Sequence, residues 1–401
     1  MNQKDHSVLI INSGSSSIKF ALYTMVEKPG LIFSGSINRI GLDSSILLVT
    51  NPVNKSQKAF QVVVPDFQHA AILLMEWLKK RSDFDQIQCI GHRIVYGMNR
   101  SRSAVIDKAL LAELDRISAF DPDHLPAEIE IIRLFKKTCP DLLQIACFDT
   151  AFFATLPHIA KMLPIPRRFD KAGVQRYGFH GLSYAYLMQE FTKIGGIPEA
   201  NGRIVLAHLG NGASLAAVKE GRCIETSMGF TPAGGLMMGT RSGDLDPGVA
   251  WYMLEKEGME SKEFNDLVNR QSGLLGVSEI SGDMRDLLLQ ESSDKRAAEA
   301  VNLFCYQVKK WIGSYMAVLG GLDTLIFSGG IGENAPEIRA RICKGFTYAG
   351  IELNEEQNQK NANQISTTGS RVSVYVIPTN EELMIAKDTI ARYREMSNQN
   401  V

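Results

Sequence analysis

The chain twice places a short apolar run, a glycine- and serine-rich turn and a second apolar run in immediate succession. Residues 8–11 lead through Asn12-Ser13-Gly14-Ser15-Ser16-Ser17 into residues 18–22, and residues 204–207 lead through His208-Leu209-Gly210-Asn211-Gly212-Ala213-Ser214 into residues 215–218. Short apolar runs bounded by turn signals read as buried strands, so each unit reads as strand, tight turn, strand. A repeated opening of this kind points to two related α/β domains. A third apolar run, residues 324–327, meets Ser328-Gly329-Gly330-Ile331-Gly332-Glu333-Asn334, expected as a loop leading into a helix. Each turn alone could be a plain hairpin. Small residues also let successive N–H groups and hydroxyls close around a phosphate, and three occurrences after buried strands favour that reading.

At 401 residues the chain is long enough for two cores. Domains are expected at 1–150 and 151–385, with a C-terminal helix, 386–401, packing back on the first. Two domains without a floppy linker are expected to share a cleft, and ligands favour such clefts. Asp66 should cap a helix burying Ala70, Ala71, Leu74 and Leu78, and a long helix is expected over residues 295–319. With 43 basic and 44 acidic residues, no electrostatic footprint for nucleic acid or an anionic membrane exists. No apolar stretch approaches the roughly 18 residues of a membrane span. The six cysteines show neither C-x-x-C pairs nor zinc spacing, which fits reduced core thiols and a cytoplasmic location.

Residues 226–247 are glycine-rich and lack a helix or strand period, and long irregular stretches in compact chains are usually functional. Within them Arg241 is flanked by small residues, leaving its guanidinium accessible; a solvated surface arginine is the alternative. Arg93 sits in an expected buried strand and needs an anionic partner, either an internal salt bridge or a ligand. Asp149 follows a buried strand, where α/β sites collect their acids, though it could equally cap a helix. His180, among glycines, reads as structural or functional.

Together these blocks resemble the acetate kinase family, within the superfamily of sugar kinases, actin and heat-shock ATPases. The resemblance spans nearly the whole chain, from Asn12–Ser17 with Lys19 to Asn380-Glu381-Glu382. It implies two actin-like (ribonuclease H-like) α/β domains flanking a nucleotide cleft, a homodimer, and reversible ATP-dependent phosphorylation of acetate to acetyl phosphate. It further implies that Asn12 and Glu381 help hold Mg²⁺, or Mn²⁺ in its place. Lys19, His208, Leu209, Gly210, Asn211, Gly212, Asp283, Met284, Arg285, Gly330, Ile331, Gly332, Glu333 and Asn334 would line the ATP/ADP site. Arg93 would bind the acid's carboxylate, Asp149 would be the catalytic acidic residue, and His180 and Arg241 would stabilise the transferring phosphoryl group.

The chemistry agrees with these residue types. A carboxylate acceptor is already ionised at neutral pH, so no strong base is required. Two anions must instead be brought together, which calls for arginines and a metal ion. Asp149 is therefore better suited to orienting Arg93 or the metal's waters than to acting as a base. The acid side departs from the family pattern. Tyr96, Phe153 and Tyr184 stand where histidines are usual, Met98 replaces Gly, Asp123 an apolar residue, Leu125 an Asn, and Glu225 an Asp. Asp123 is expected to turn outward or to pair with Arg100 or Arg102. Propionate, butyrate or another short-chain acid is the first competing substrate, and an ATPase switch the competing class.

Overall fold

The computed structural model describes residues 6–14, 17–42, 44–54 and 56–399, so Ser15 and Ser16 of the first turn lie outside the described residues. The chain divides into two compact units, Met1–Ala154 with Asn380–Val401, and Thr155–Thr379. The sequence reading drew the divisions at 150/151 and 385/386. In the structure they fall at 154/155 and 379/380, so the whole last helix, Glu381–Gln399, goes with the first unit.

The first unit is built on one sheet of β1 (Ser7–Ser13), β2 (Ser17–Thr24), β3 (Leu31–Asn38), β4 (Ser45–Asn51), β5 (Ser56–Val62), β6 (Ile87–Ile94), β7 (Ala104–Val105) and β8 (Leu143–Phe148). Its order is β5-β4-β3-β2-β1-β6-β8-β7. The first five strands form an antiparallel meander, and β6 and β8 run parallel to β1. Strand β1 is central and every residue in it is buried, hence its unbroken apolar run. Alternation along the strand sends Leu9 and Ile11 into a core with Phe20, Leu74, Leu78 and Phe135, under the helices Phe67–Lys79 and Leu125–Thr138. Asp66 caps the first of these helices, accepting from the His69 N–H at 2.9 Å. The opposite face, with Ile10 and Gly91, receives the helix Glu381–Gln399.

The second unit holds β9 (Arg203–Leu209), β10 (Ala213–Lys219), β11 (Arg222–Thr226), β12 (Thr324–Ser328) and β13 (Ser373–Val376), ordered β11-β10-β9-β12-β13. The first three are antiparallel, and β12 and β13 run parallel to β9 and β12. Without β4, β5 and β7 the first sheet reads β3-β2-β1-β6-β8, with the same order and directions. The repetition seen in the sequence is thus a repeated five-strand topology. The expected long helix is Lys295–Leu319, burying Val301, Phe304, Val308, Ile312 and Tyr315. The third glycine-rich stretch is not a loop: Gly329–Asn334 forms a short helix directly after β12. Gly329 has φ +77° there, and a Cβ on it would stand 2.7 Å from the Leu209 carbonyl oxygen, so only glycine fits.

These topologies line up chemistry at strand ends. Arg93 lies near the end of β6 and Asp149 follows β8, its parallel neighbour; Asn12 lies near the end of β1. In the second unit His208 and Ser328 are register partners on β9 and β12.

The seat of the last helix is set by Gly91. A Cβ at that position would come 2.2 Å from Thr389 Oγ1 and 3.0 Å from Ile385 Cγ2. Gly91→Ala should therefore overpack this contact and cost about 1–3 kcal/mol in urea unfolding. An unchanged unfolding midpoint would contradict the tight seating.

Candidate functional site

In the first unit the site residues gather around one guanidinium. Arg93 donates from Nη2 and Nε to Asp149 Oδ2 at 2.6 and 3.1 Å, and from Nη1 to Asn12 Oδ1 at 3.3 Å. Asp149 is fully buried and the Arg93 side chain is only 13% exposed. Burial by itself lowers the Arg93 pKa. The charges of Asp149 and Glu381 and the bonds to Asp149 outweigh it, and Arg93 stays firmly protonated. Asp149 accepts from Arg93, the geometry of an orienting group. Asn12 also donates from Nδ2 to Glu381 Oε2 at 3.2 Å and to Glu382 Oε1 at 3.1 Å. Lys19 is exposed on β2, directly opposite Asn12.

Glu382 is an addition to the expected set. Two carboxylates drawn to one amide supply hard oxygen donors, the kind Mg²⁺ takes in ones and twos while keeping waters and phosphate oxygens. Among the described residues no cluster of three His, Cys, Asp or Glu side chains forms a self-sufficient metal site.

The acid side is rich in buried carboxyls. Glu128 is buried in the first turn of Leu125–Thr138, and both its oxygens accept from the Val95 N–H, at 3.2 and 3.3 Å. Burial first, then the nearby Asp121, raise its pKa well above 4.5, while Arg93 opposes the shift. Asp121 Oδ1 lies 2.9 Å from Nδ1 of the buried His124. Tyr96 is fully buried with its ring centroid 6.0 Å from that of Phe120, and Leu125 is fully buried. Asp123 is half-buried, and the guanidinium of Arg100 is taken by Glu113. Phe153 packs on Phe152, and Glu225 pairs with Arg176 at 3.0 Å.

In the second unit His180, His208 and Arg241 gather over the Gly210–Gly212 turn. The two imidazoles stack with centroids 4.3 Å apart. A Cβ on Gly212 would lie 3.2 Å from His180 Nε2 and 3.9 Å from Arg241 Nη1, and one on Gly210 would lie 3.6 Å from His208 Nε2. Glycine keeps this face open. Arg241 Nη1 donates to the Pro232 carbonyl at 3.3 Å, which anchors the irregular segment under it. His180 holds φ +61°, a left-handed conformation that is costly for a non-glycine residue and clusters at functional sites.

Beside the turn a cavity of about 800 Å³ is lined by Gly210, Asn211, Asp283, Met284, Arg285, Gly330, Ile331 and Asn334 of the expected nucleotide set. Gly282, Leu288, Leu289, Ala335 and Glu337 complete the wall. His208, Leu209, Gly212, Gly332 and Glu333 do not line it. Leu209 is core, and the Glu333 carboxylate turns back to accept from the N–H groups of Gly329 (2.8 Å) and Thr379 (3.1 Å). Arg339, fully buried, donates to the carbonyls of Gly332 (2.8 Å) and Glu333 (3.1 Å) and to Asn358 and Asn361. Burial lowers its pKa to about 10, still cationic at neutral pH, and it fixes the glycine helix from behind.

Comparison with known proteins decides the family. The model of the acetokinase family matches residues 7–387. The chain belongs to the acetokinase family. It is 40% identical over 394 residues to an acetate kinase of Bacteroides thetaiotaomicron, covering 96% of this chain and 98% of the relative. The acetate kinase structure from Porphyromonas gingivalis is similar at TM-score 0.86 and 37% identity, covering 96% and 99% of the two chains. A propionate kinase structure from Francisella tularensis is similar at TM-score 0.89 and 35% identity, covering 96% and 98%. The two-sheet α/β architecture is the actin-like fold that the sequence of this acetokinase-family member implied.

Glu128 gives this side a pH signature. A carboxyl whose folded pKa lies above its unfolded value stabilises the fold least when ionised, so stability is lost as pH rises from 4.5 through the raised folded value. Glu128→Gln keeps an acceptor for Val95 and removes that loss. Relative to the unmodified chain, the variant should gain stability progressively above pH 4.5, measured by urea unfolding at several pH values. A gap that does not change with pH would contradict the assignment.

Proposed function

We propose that the protein transfers the γ-phosphate of ATP directly to the carboxylate of acetate, reversibly, yielding acetyl phosphate and ADP. Family membership supports a kinase. The observation that carries the assignment to a carboxylate acceptor is Arg93: a buried guanidinium oriented by Asp149 is suited to bidentate capture of a small carboxylate.

In this reading Arg93 binds and orients the acid, and Asp149 fixes Arg93. The cavity at Gly210, Asp283 and Gly330 takes the nucleotide, with the leucines against its flat base. Arg241 and the imidazole of His180 meet the charge on the transferring phosphoryl oxygens. Asn12, Glu381 and Glu382 would hold Mg²⁺, which when bound offsets the charge of the phosphates.

The acid's identity rests on the side least like the family. Half-buried Asp123 and buried Tyr96 are departures from the family pattern, and a propionate kinase is among the similar structures, so propionate or another short-chain acid is the second reading. We place the enzyme in the cytoplasm, where its six unpaired cysteines would persist as thiols. A homodimer fits the exposed apolar side chains of the second unit: Trp251, Tyr252, Leu303, Tyr306 and Val318. No helix among the described residues is long and apolar enough to cross a membrane.

The test is hydroxylamine trapping of the product across acetate, propionate and butyrate with ATP and Mg²⁺. Acetyl hydroxamate should dominate. ATP consumption without any hydroxamate would sink the kinase reading in favour of an ATPase switch, and dominance of another acyl hydroxamate would reassign the acid. Arg241→Ala should lower kcat about a hundredfold or more, the scale of losing one preorganised charge donor; a folded variant with normal kcat would refute its role.

A further inference from the structure

We propose that Tyr184 is a positioning residue for phosphoryl transfer: through Ser214 it holds His180 as the neutral imidazole with its proton on Nε2. This rests on the assignment of His180 to the phosphoryl group made above.

The geometry is a chain of three groups within the second unit. Tyr184 OH lies 2.5 Å from Ser214 Oγ, and Ser214 Oγ lies 2.8 Å from His180 Nδ1. Tyr184 and Ser214 are both fully buried, so water does not compete for these bonds. A serine hydroxyl has one proton to give. A phenol, with a pKa of about 10, is a far stronger acid than an aliphatic alcohol and the better donor of the two. Tyr184 therefore donates to Ser214 Oγ, and the serine proton is left for His180. That bond requires a lone pair on Nδ1, so the ring hydrogen sits on Nε2.

Nε2 is the nitrogen that faces the open glycine turn. With a hydrogen there, His180 donates to an anionic phosphoryl oxygen; the opposite tautomer would point a lone pair at it. The stack with His208 disfavours charging both rings, because two imidazolium rings 4.3 Å apart would repel. His208 has a separate hydroxyl wire, from Nδ1 to Ser183 Oγ at 2.9 Å and on to Thr379 Oγ1 at 2.8 Å. The two rings are thus held by different hydroxyls. The sequence had singled out Tyr184 as a departure from the family's usual histidine without giving it a task.

The test uses the full-length protein labelled with ¹⁵N-histidine, the His180 signals being assigned by their loss in His180→Gln. In the unmodified enzyme His180 should carry hydrogen on Nε2 only. Tyr184→Phe keeps the ring and removes the donor. It should give a mixture of tautomers and lower kcat about five- to tenfold, the factor for one hydrogen bond, with KM for ATP and acid unmoved. Ser214→Ala should break the wire from its other end with the same result, and Tyr184→His, which restores a donor, should recover most of the lost kcat. A His180 proton on Nδ1 in the unmodified enzyme, or an unchanged tautomer in Tyr184→Phe, would overturn the proposal. A His180→Gln enzyme with full kcat would remove the phosphoryl role of His180 and the proposal with it, while the spectra would still report whether the wire exists.

Discussion

The first unit depends on the ion pair between Arg93 and Asp149. A guanidinium near the end of a central strand is tolerable only because a fully buried carboxylate takes two of its donors at 2.6 and 3.1 Å. Asp149 bonds Arg93 through one oxygen, while Asn12 fixes the remaining donor group and links it to Glu381 and Glu382. Breaking the pair would strand a charge, so Arg93 is held in one orientation before any ligand arrives. The same cation acts on a neighbour: burial and then the nearby Asp121 raise the pKa of Glu128 well above 4.5, and Arg93 opposes that shift.

In the proposed function the second unit meets a different problem, the charge of a phosphoryl group in flight. Its parts are a cation, Arg241, two stacked rings and a turn with glycine on either side of Asn211, fixed in advance by groups behind them. Arg339 and Glu333 grip the glycine helix from behind, and Ser214 and Ser183 hold the two rings. Preorganisation of this kind suits a reaction whose acceptor is already ionised and whose barrier lies in bringing charges together.

Much of this was legible in the sequence because it rests on local rules. The paired strand-turn-strand units gave the repeated sheet, Asp66 announced its helix, and the 3.6-residue spacing of residues 295–319 announced another. Arg93 and Asp149 stood out as charged residues in or after apolar strands. What escaped reading was fixed by tertiary contact. Glu128 in a first helical turn looks like an ordinary dipole partner, and only the approach of β6 buries it. Arg339 looks like a surface residue of a helix, and only the segment bearing Asn358 and Asn361 encloses it. Nothing local links Ser214 to Tyr184 until β10 and the helix Gly181–Gly195 bring them together. The helix Gly329–Asn334 contradicted local propensity, since four of the seven residues from Ser328 to Asn334 are glycine or serine.

In the proposed function transfer is direct: the acid's oxygen attacks phosphorus, and His180 at the glycine turn donates a hydrogen bond without becoming phosphorylated. The stereochemical course at phosphorus tests it most directly, using ATP made chiral at the γ-phosphorus with oxygen isotopes and analysing the acyl phosphate product. A single in-line displacement predicts inversion. Retention would mean two displacements through a phosphorylated enzyme group, and would contradict the account.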